Sequence, residues 1–374
     1  VVGPLLLAGY FFKIFKPKKS VVGGIMTLFA LGIYLSLTAS GGRFQQISIF
    51  NDQGSTLERE QAIREDGVAG LTPTASRLLH NKPISWVFSF TESYVTNTSL
   101  HYLFIGGAQP PRVTIPETGQ FLLIFLPFFL LGLFASFRDW KKFDQWILFW
   151  FLLAPLPAAL TYAEIPHAYR TIFLMVPVAI YCGKGLQFSL EILRDLNKQK
   201  AIKKILPSGS LSFLFTAFLL LAVGLNTTRA WHQYAVHQQL HHPWYRQYGY
   251  AELVEYLNSL EADKIVMTNR TYEPYIYILF HNKIEPKIYQ AQENKRLSHE
   301  AIEAGESTWQ LFNYTFSEDP CPYGGEDAAE NTIYVVTPQC EIPEGYTRLK
   351  EIDFQDGNPA FAVEKQTSKE SYDL

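Results

Sequence analysis

The stretch best suited to chemistry is Glu164-Ile-Pro-His167-Ala-Tyr-Arg170, a short polar turn between two long apolar runs. Arg170 offers a planar fork that can grip a phosphate through two parallel hydrogen bonds. His167 and Glu164 could carry a proton or make polar contacts, with Tyr169 beside them. The plainer reading is an arginine that anchors a helix end by reaching to the membrane surface. Composition alone leaves both readings open.

Two looser groups follow. Arg43, Asp52, Glu58, Arg64, Asp66, Arg77 and His80 lie in one long polar segment. Such a set could bind a sugar or another polar acceptor. Glu58 and Arg64 also fit an ordinary solvated helix face, whereas Arg77 and His80 sit in Arg77-Leu-Leu-His-Asn-Lys-Pro83, close to aromatic sequence. His232, His237, His241 and His242 cluster near the end of the last apolar run. His237 and His241 can share a helical face, but no carboxylate stands at metal-ligand spacing and Pro243 ends any helix. Cys182 lies in an apolar run and reads as inert packing. Cys321 and Cys340 lie in polar sequence, where a disulfide and two free thiols both fit. Asn97, Asn226, Asn269 and Asn313 open N-x-S/T triplets.

These residues need elements to hold them. The 374 residues are 48% hydrophobic, yet mean hydropathy is near zero. The average conceals an apolar part before about residue 230 and an ordinary polar part after it. Val21–Ala39, Gln120–Phe137, Trp146–Ala163, Thr171–Leu190 and Leu211–Thr228 each have the length and apolarity expected of a membrane span. Pro127, Pro155, Pro157 and Pro177 inside them are tolerable in membrane helices. Val1–Phe12 is apolar but too short to span, so the chain is expected to be the C-terminal portion of a longer protein.

Basic residues orient such spans. Lys13, Lys16, Lys18 and Lys19 form one cluster, Arg138, Lys141 and Lys142 a second, and Arg194, Lys198, Lys200, Lys203 and Lys204 a third. All three are expected in the cytoplasm. Residues 40–119, the turn 164–170 and everything after Thr228 then lie outside. From Arg229 on, 23 acidic residues face 12 basic ones. In the outer segment, Ser55-Thr-Leu-Glu58 matches a capping box that opens a helix through about Glu65. The aromatic stretch with Trp86, Phe88, Phe90 and Tyr94 suits a helix lying on a lipid surface.

After residue 229, Tyr250, Leu253, Val254, Leu257 and Leu260 repeat at helical spacing. Lys264–Met267 and Ile333–Val336 read as buried strands, and Tyr275–Phe280 as a helix. Lys287–Tyr289 reads as a strand. Tyr346–Phe354 and Ala360–Glu364 flank Asp356-Gly357 as a hairpin. No glycine-rich phosphate loop and no serine elbow is present.

The runs Gln46-Ile-Ser-Ile-Phe-Asn-Asp-Gln-Gly54, Arg64-Glu-Asp-Gly67, Arg77-Leu-Leu-His-Asn-Lys-Pro83, Pro166-His-Ala-Tyr-Arg170 and Asp356-Gly-Asn-Pro-Ala-Phe361 resemble the C-terminal half of bacterial membrane glycosyltransferases. These are the family 39 type of the GT-C superfamily, related to dolichyl-phosphate-mannose protein mannosyltransferases. The resemblance implies transfer of a sugar, with inversion, from a polyprenyl-phosphate carrier to a glycan, lipid or protein acceptor at the outer membrane face. It also implies that Arg170, with His167, binds the lipid phosphate, and that the catalytic carboxylate lies upstream of Val1. Glu164, Tyr169, Arg77 and His80 become candidate substrate contacts. No cofactor is assigned, although a divalent metal is compatible, and no nucleic-acid partner is expected. A transporter or flippase and a non-catalytic scaffold are the competing readings.

The expected architecture is an all-α multi-pass bundle of about six spanning segments, the first truncated, plus a small extracytoplasmic α/β domain. Its divisions are residues 1–39, 40–119, 120–228 and 229–374.

Overall fold

The computed structural model describes residues 47–199, 209–269, 273–291, 308–324 and 331–367, with Pro207 and scattered positions before residue 47. The chain separates into two compact units, Val1–His237 and Gln238–Leu374. The division falls past Arg229 because the helix Ser210–His232 continues without a break into a π-helical turn, Gln233–His237.

The first unit is helical. Helix α1 (Gln53–Val68) is capped by Asp52, whose carboxylate accepts from the Gly54 and Ser55 amides, so the cap lies three residues before the expected Ser55. An aspartate immediately before the helix satisfies two otherwise orphaned amides. Thr72 caps α2 (Pro73–Leu79) and Asn81 caps α3 (Lys82–Thr98), each followed by a proline in the first turn. Val87, Phe88 and Val95 of α3 are exposed, while Ser93 and Asn97 are buried. A short helix, α4 (Leu100–Phe104), follows.

The six-span bundle is not what the chain forms. Among the described residues, two helices are long and apolar enough to cross a membrane, Ile172–Lys198 and Ser210–His241. The expected span Val21–Ala39 lies outside the described residues. Gln120 and Phe121 spend their amides on the Tyr102 and Leu103 carbonyls. Helix α5 (Leu126–Arg138) therefore begins late, after a single 3-10 turn, and stays short. Trp146–Ala163 is not one helix either. Helix α6 (Lys142–Leu153) ends ahead of Pro155, which has no amide to donate. A single turn, α7 (Leu156–Ala159), follows, and Thr161 then pairs as an antiparallel bridge with Ser48.

Helix α8 (Ile172–Lys198) keeps its course through Pro177. It packs against α5 with almost no space between backbones. A Cβ on Gly132 would stand 1.8 Å from the Tyr181 carbonyl oxygen, and one on Gly185 would stand 1.8 Å from that of Phe128. Small residues permit this approach. Lys184 of α8 is ion-paired to the buried Asp144 of α6 and donates to Ser136 of α5 at 2.9 Å, joining three helices by one ammonium group. Helix α9 (Ser210–His232) exposes Phe213, Phe218, Leu220, Leu221 and Leu225. Apolar residues presented over so much of a helix's circumference suit apolar surroundings rather than water.

The second unit is an α/β domain. Tyr250, Leu253, Val254 and Leu257 of α10 (Tyr250–Asn258) are buried, as their spacing requires. The sheet comprises β1 (Lys264–Thr268), β2 (Thr308–Leu311), β3 (Tyr314–Ser317), β4 (Thr332–Val336), β5 (Tyr346–Asp353) and β6 (Pro359–Gln366). Its order is β2-β3-β1-β4-β6-β5, with β1 parallel to both β3 and β4 and the remaining pairs antiparallel. Helix α11 (Pro274–His281) packs on α10, and Tyr250 stacks on Tyr277 at 4.2 Å between ring centroids. The expected strand Lys287–Tyr289 is instead helical, within α12 (Pro286–Ala291), because Pro286 sets the backbone angle of a first helical turn. The β2–β3 hairpin was not expected from sequence; it alternates exposed Thr308 and Gln310 with buried Trp309 and Leu311.

Cys321 and Cys340 form a disulfide. Close by, the fully buried Glu364 accepts from Arg348 Nε and Nη2 at 3.1 and 2.9 Å and from the Tyr323 hydroxyl at 2.8 Å. Burial first, and the adjoining carboxylate second, push the Tyr323 hydroxyl well above its usual range.

Candidate functional site

The turn 164–170 is held from three directions. From α3, Asn97 Oδ1 accepts the His167 amide at 3.0 Å, and Asn97 Nδ2 donates to the Ser93 carbonyl at 2.8 Å. Ser93 Oγ lies 3.3 Å from the Ala158 carbonyl and 3.4 Å from that of Thr161. From α4, the buried Tyr102 hydroxyl bonds Thr171 Oγ1, which in turn donates to the His167 carbonyl at 3.0 Å. From the loop after α4, the Gln109 amide donates to the Pro166 carbonyl at 2.6 Å. The two peptides Gln109–Pro110 and Ile165–Pro166 are cis.

This scaffold gathers four ionisable or polar side chains. Arg170 Nη1 donates to Thr161 Oγ1 at 3.0 Å and to the Ala163 carbonyl. Glu164, in a left-handed backbone conformation (φ +54), places one carboxylate oxygen 2.7 Å from Arg112 Nη2 and the other 3.5 Å from His167 Nε2. His167 is 8% exposed, and its Nδ1 is buried without a hydrogen-bond partner among the described residues. Burial first, and the Arg170 guanidinium second, hold the imidazole below its ordinary value, against the opposing pull of Glu164. His167 is therefore neutral near pH 7. Two arginines against one carboxylate leave a net positive charge immediately before α8.

The expected residues divide. Glu164, His167 and Arg170 come together, and Tyr169, 68% exposed, lies with its ring 5.8 Å from that of His167. Arg77 is exposed on α2, and His80 Nε2 lies 3.1 Å from Asp66, which also accepts from Ser76 at 2.7 Å. No ion pair or hydrogen bond among the described residues links Arg77 or His80 to the turn. Asp52 is taken up by its capping role, and Arg43 lies outside the described residues.

Arg112, Ser93, Tyr102 and Thr171 are not among the sequence-derived candidates, and Asn97 is there only as the opening of an N-x-S/T triplet. A signal existed for two of them: Ser93 and Asn97 are polar residues four apart in an aromatic-rich helix, on one face. Full burial of the Asn97 amide removes it as a glycan acceptor in the folded chain. The His232 and His237 rings lie 4.9 Å apart, and the described residues hold no group of three or more His, Cys, Asp or Glu side chains that could bind a metal ion.

Comparison with protein-family models, with curated proteins and with solved structures found no match.

Proposed function

We propose that this protein is a membrane glycosyltransferase that moves a sugar from a polyprenyl-phosphate carrier to an acceptor on the outer face of a membrane. The observation that carries the reading is the excess of guanidinium charge, Arg112 and Arg170 against Glu164, at the start of an apolar helix long enough to cross a bilayer. A leaving phosphate gathers negative charge as the sugar departs, and a guanidinium already held in place offsets that charge without reorganising. Arg170 and His167 are the proposed phosphate contacts, and Glu164 and Tyr169 the neighbouring substrate contacts. The general base is not assigned to any residue of this chain. The outer-face orientation draws support from the basic residues that the sequence holds between the two long apolar helices, Arg194, Lys198, Lys200, Lys203 and Lys204, and from the Cys321–Cys340 disulfide, a bond suited to an oxidising compartment. A bacterial plasma membrane, with residues after Thr228 outside the cytoplasm, fits both.

The test is sugar transfer in proteoliposomes supplied with radiolabelled polyprenyl-phosphate sugars. Arg170→Ala should lower kcat/KM by about a hundredfold, the loss of one charge-assisted contact in the transition state, and Arg170→Lys should recover part of it. No transfer by the full-length protein in membranes from any polyprenyl-phosphate donor would refute the reading.

A further inference from the structure

A cavity of about 300 Å³ opens between the first turns of α1 and α3. Its walls include Phe50, Asp52, Thr56, Arg59, Lys82 and Trp86, none of which belongs to the Arg170 group. The Asp52 carboxylate is occupied by the Gly54 and Ser55 amides, at 2.9 and 3.3 Å. Arg59 of α1 and Lys82 of α3 have no ion-pair or hydrogen-bond partner among the described residues. Two cations brought from different helices to one cavity repel each other, and an anion between them turns that repulsion into attraction. Trp86 and Phe50, edge to face with ring centroids 5.2 Å apart, supply an apolar wall beside the charges.

We infer that this cavity binds a phosphate group, with Arg59 as the forked donor, Lys82 as the point charge, and the body carrying the phosphate against Trp86 and Phe50. An arginine fork matches two phosphate oxygens at once, whereas a lysine serves any approach direction. The phosphate can come from a lipid headgroup or from a soluble phosphomonoester. The inference does not depend on glycosyl transfer, because it concerns binding alone.

The test uses the whole protein in detergent, titrated separately with glucose 1-phosphate and with phosphatidylglycerol vesicles, with no sugar donor present. Tryptophan fluorescence reports occupancy, and Trp86→Phe identifies the part of the signal that belongs to the cavity. A saturable Trp86 response to either probe is expected. A response to vesicles alone assigns the lipid source, and a response to glucose 1-phosphate assigns the soluble one. Arg59→Gln with Lys82→Gln should weaken binding by about tenfold or more, as expected for lost charge-assisted contacts. Arg59→Lys with Lys82→Arg should retain most of it. Binding to the unaltered protein should also weaken as salt rises, which keeps the test decisive if the double glutamine variant fails to fold. Absence of a saturable response to both probes would overturn the inference. So would salt-independent binding, or an unchanged affinity in a folded double glutamine variant.

Discussion

Asn97→Ala isolates what holds the 164–170 turn in place. Asn97 is fully buried, accepts the His167 amide at 3.0 Å and donates to the Ser93 carbonyl at 2.8 Å. Alanine removes both partners while leaving the His167 N–H buried and unpaired. An orphaned buried donor costs about 1–3 kcal/mol. If that cost falls on local opening of the turn, amide exchange there should accelerate by about 5- to 150-fold. The assay is hydrogen–deuterium exchange of the peptide covering residues 160–171, with the β4–β6 strands of the second unit as an internal reference. Asn97→Asp tests the assignment, because it keeps an acceptor for His167 and loses the donor to Ser93. It should accelerate exchange less than alanine does. Exchange in Asn97→Ala within twofold of the unaltered protein would show that the turn is held by other contacts, and the account of the site would have to be rebuilt around Tyr102 and Thr171.

Gly185→Ala should lower the melting temperature clearly, since its Cβ would stand 1.8 Å from a backbone oxygen of α5 and overpacking costs about 1–3 kcal/mol or more. Gly183→Ala, two residues away with nothing within 4 Å, is the control, and equal melting of the two variants would refute the close crossing. Acidification should weaken the turn through His167. Its folded value lies below the ordinary 6.5, so the unfolded chain binds more protons between the two values. Stability is then complete above about pH 7 and is lost as pH falls through the folded value, where a charged imidazole would face Arg170 and Arg112. Exchange of residues 160–171 measured across that range should show a pH dependence that His167→Gln abolishes, and an unaltered dependence in that variant would assign it elsewhere.

The second unit was largely legible before folding. The buried face of α10 follows from apolar residues at helical spacing, β4 from a run of β-branched and aromatic residues, and the β5–β6 hairpin from Asp356-Gly357, whose glycine takes φ +82. These signals are local, so a short window carries them. The β2–β3 hairpin carries no such signal, because its turn, Phe312-Asn313, lacks glycine and places Phe312 at φ +56. Lys287–Tyr289 is helical where a strand is expected, because so short a run carries no period that distinguishes a strand from a helical turn, and only Pro286 favours the latter.

The first unit shows where composition misleads. Apolarity by itself located α8 and α9, but both helices outrun the expected apolar stretches Thr171–Leu190 and Leu211–Thr228, reaching Lys198 and His232. It could not tell that Gln120 and Phe121 pair with residues 102–103, or that Thr161 pairs with Ser48, because those hydrogen bonds join residues far apart in sequence. Such pairings shorten α5 and break Trp146–Ala163, and they also build the site. Glu164, His167 and Arg170 are neighbours in the chain and were visible as a group. Arg112, Asn97 and Tyr102 reach them across separations of 52, 70 and 69 residues, counting Tyr102 by its bond to Thr171. Spacing along a chain encodes which face of a helix is apolar. Which distant polar group will satisfy a buried amide or carboxylate is decided only when the chain has packed and water has left.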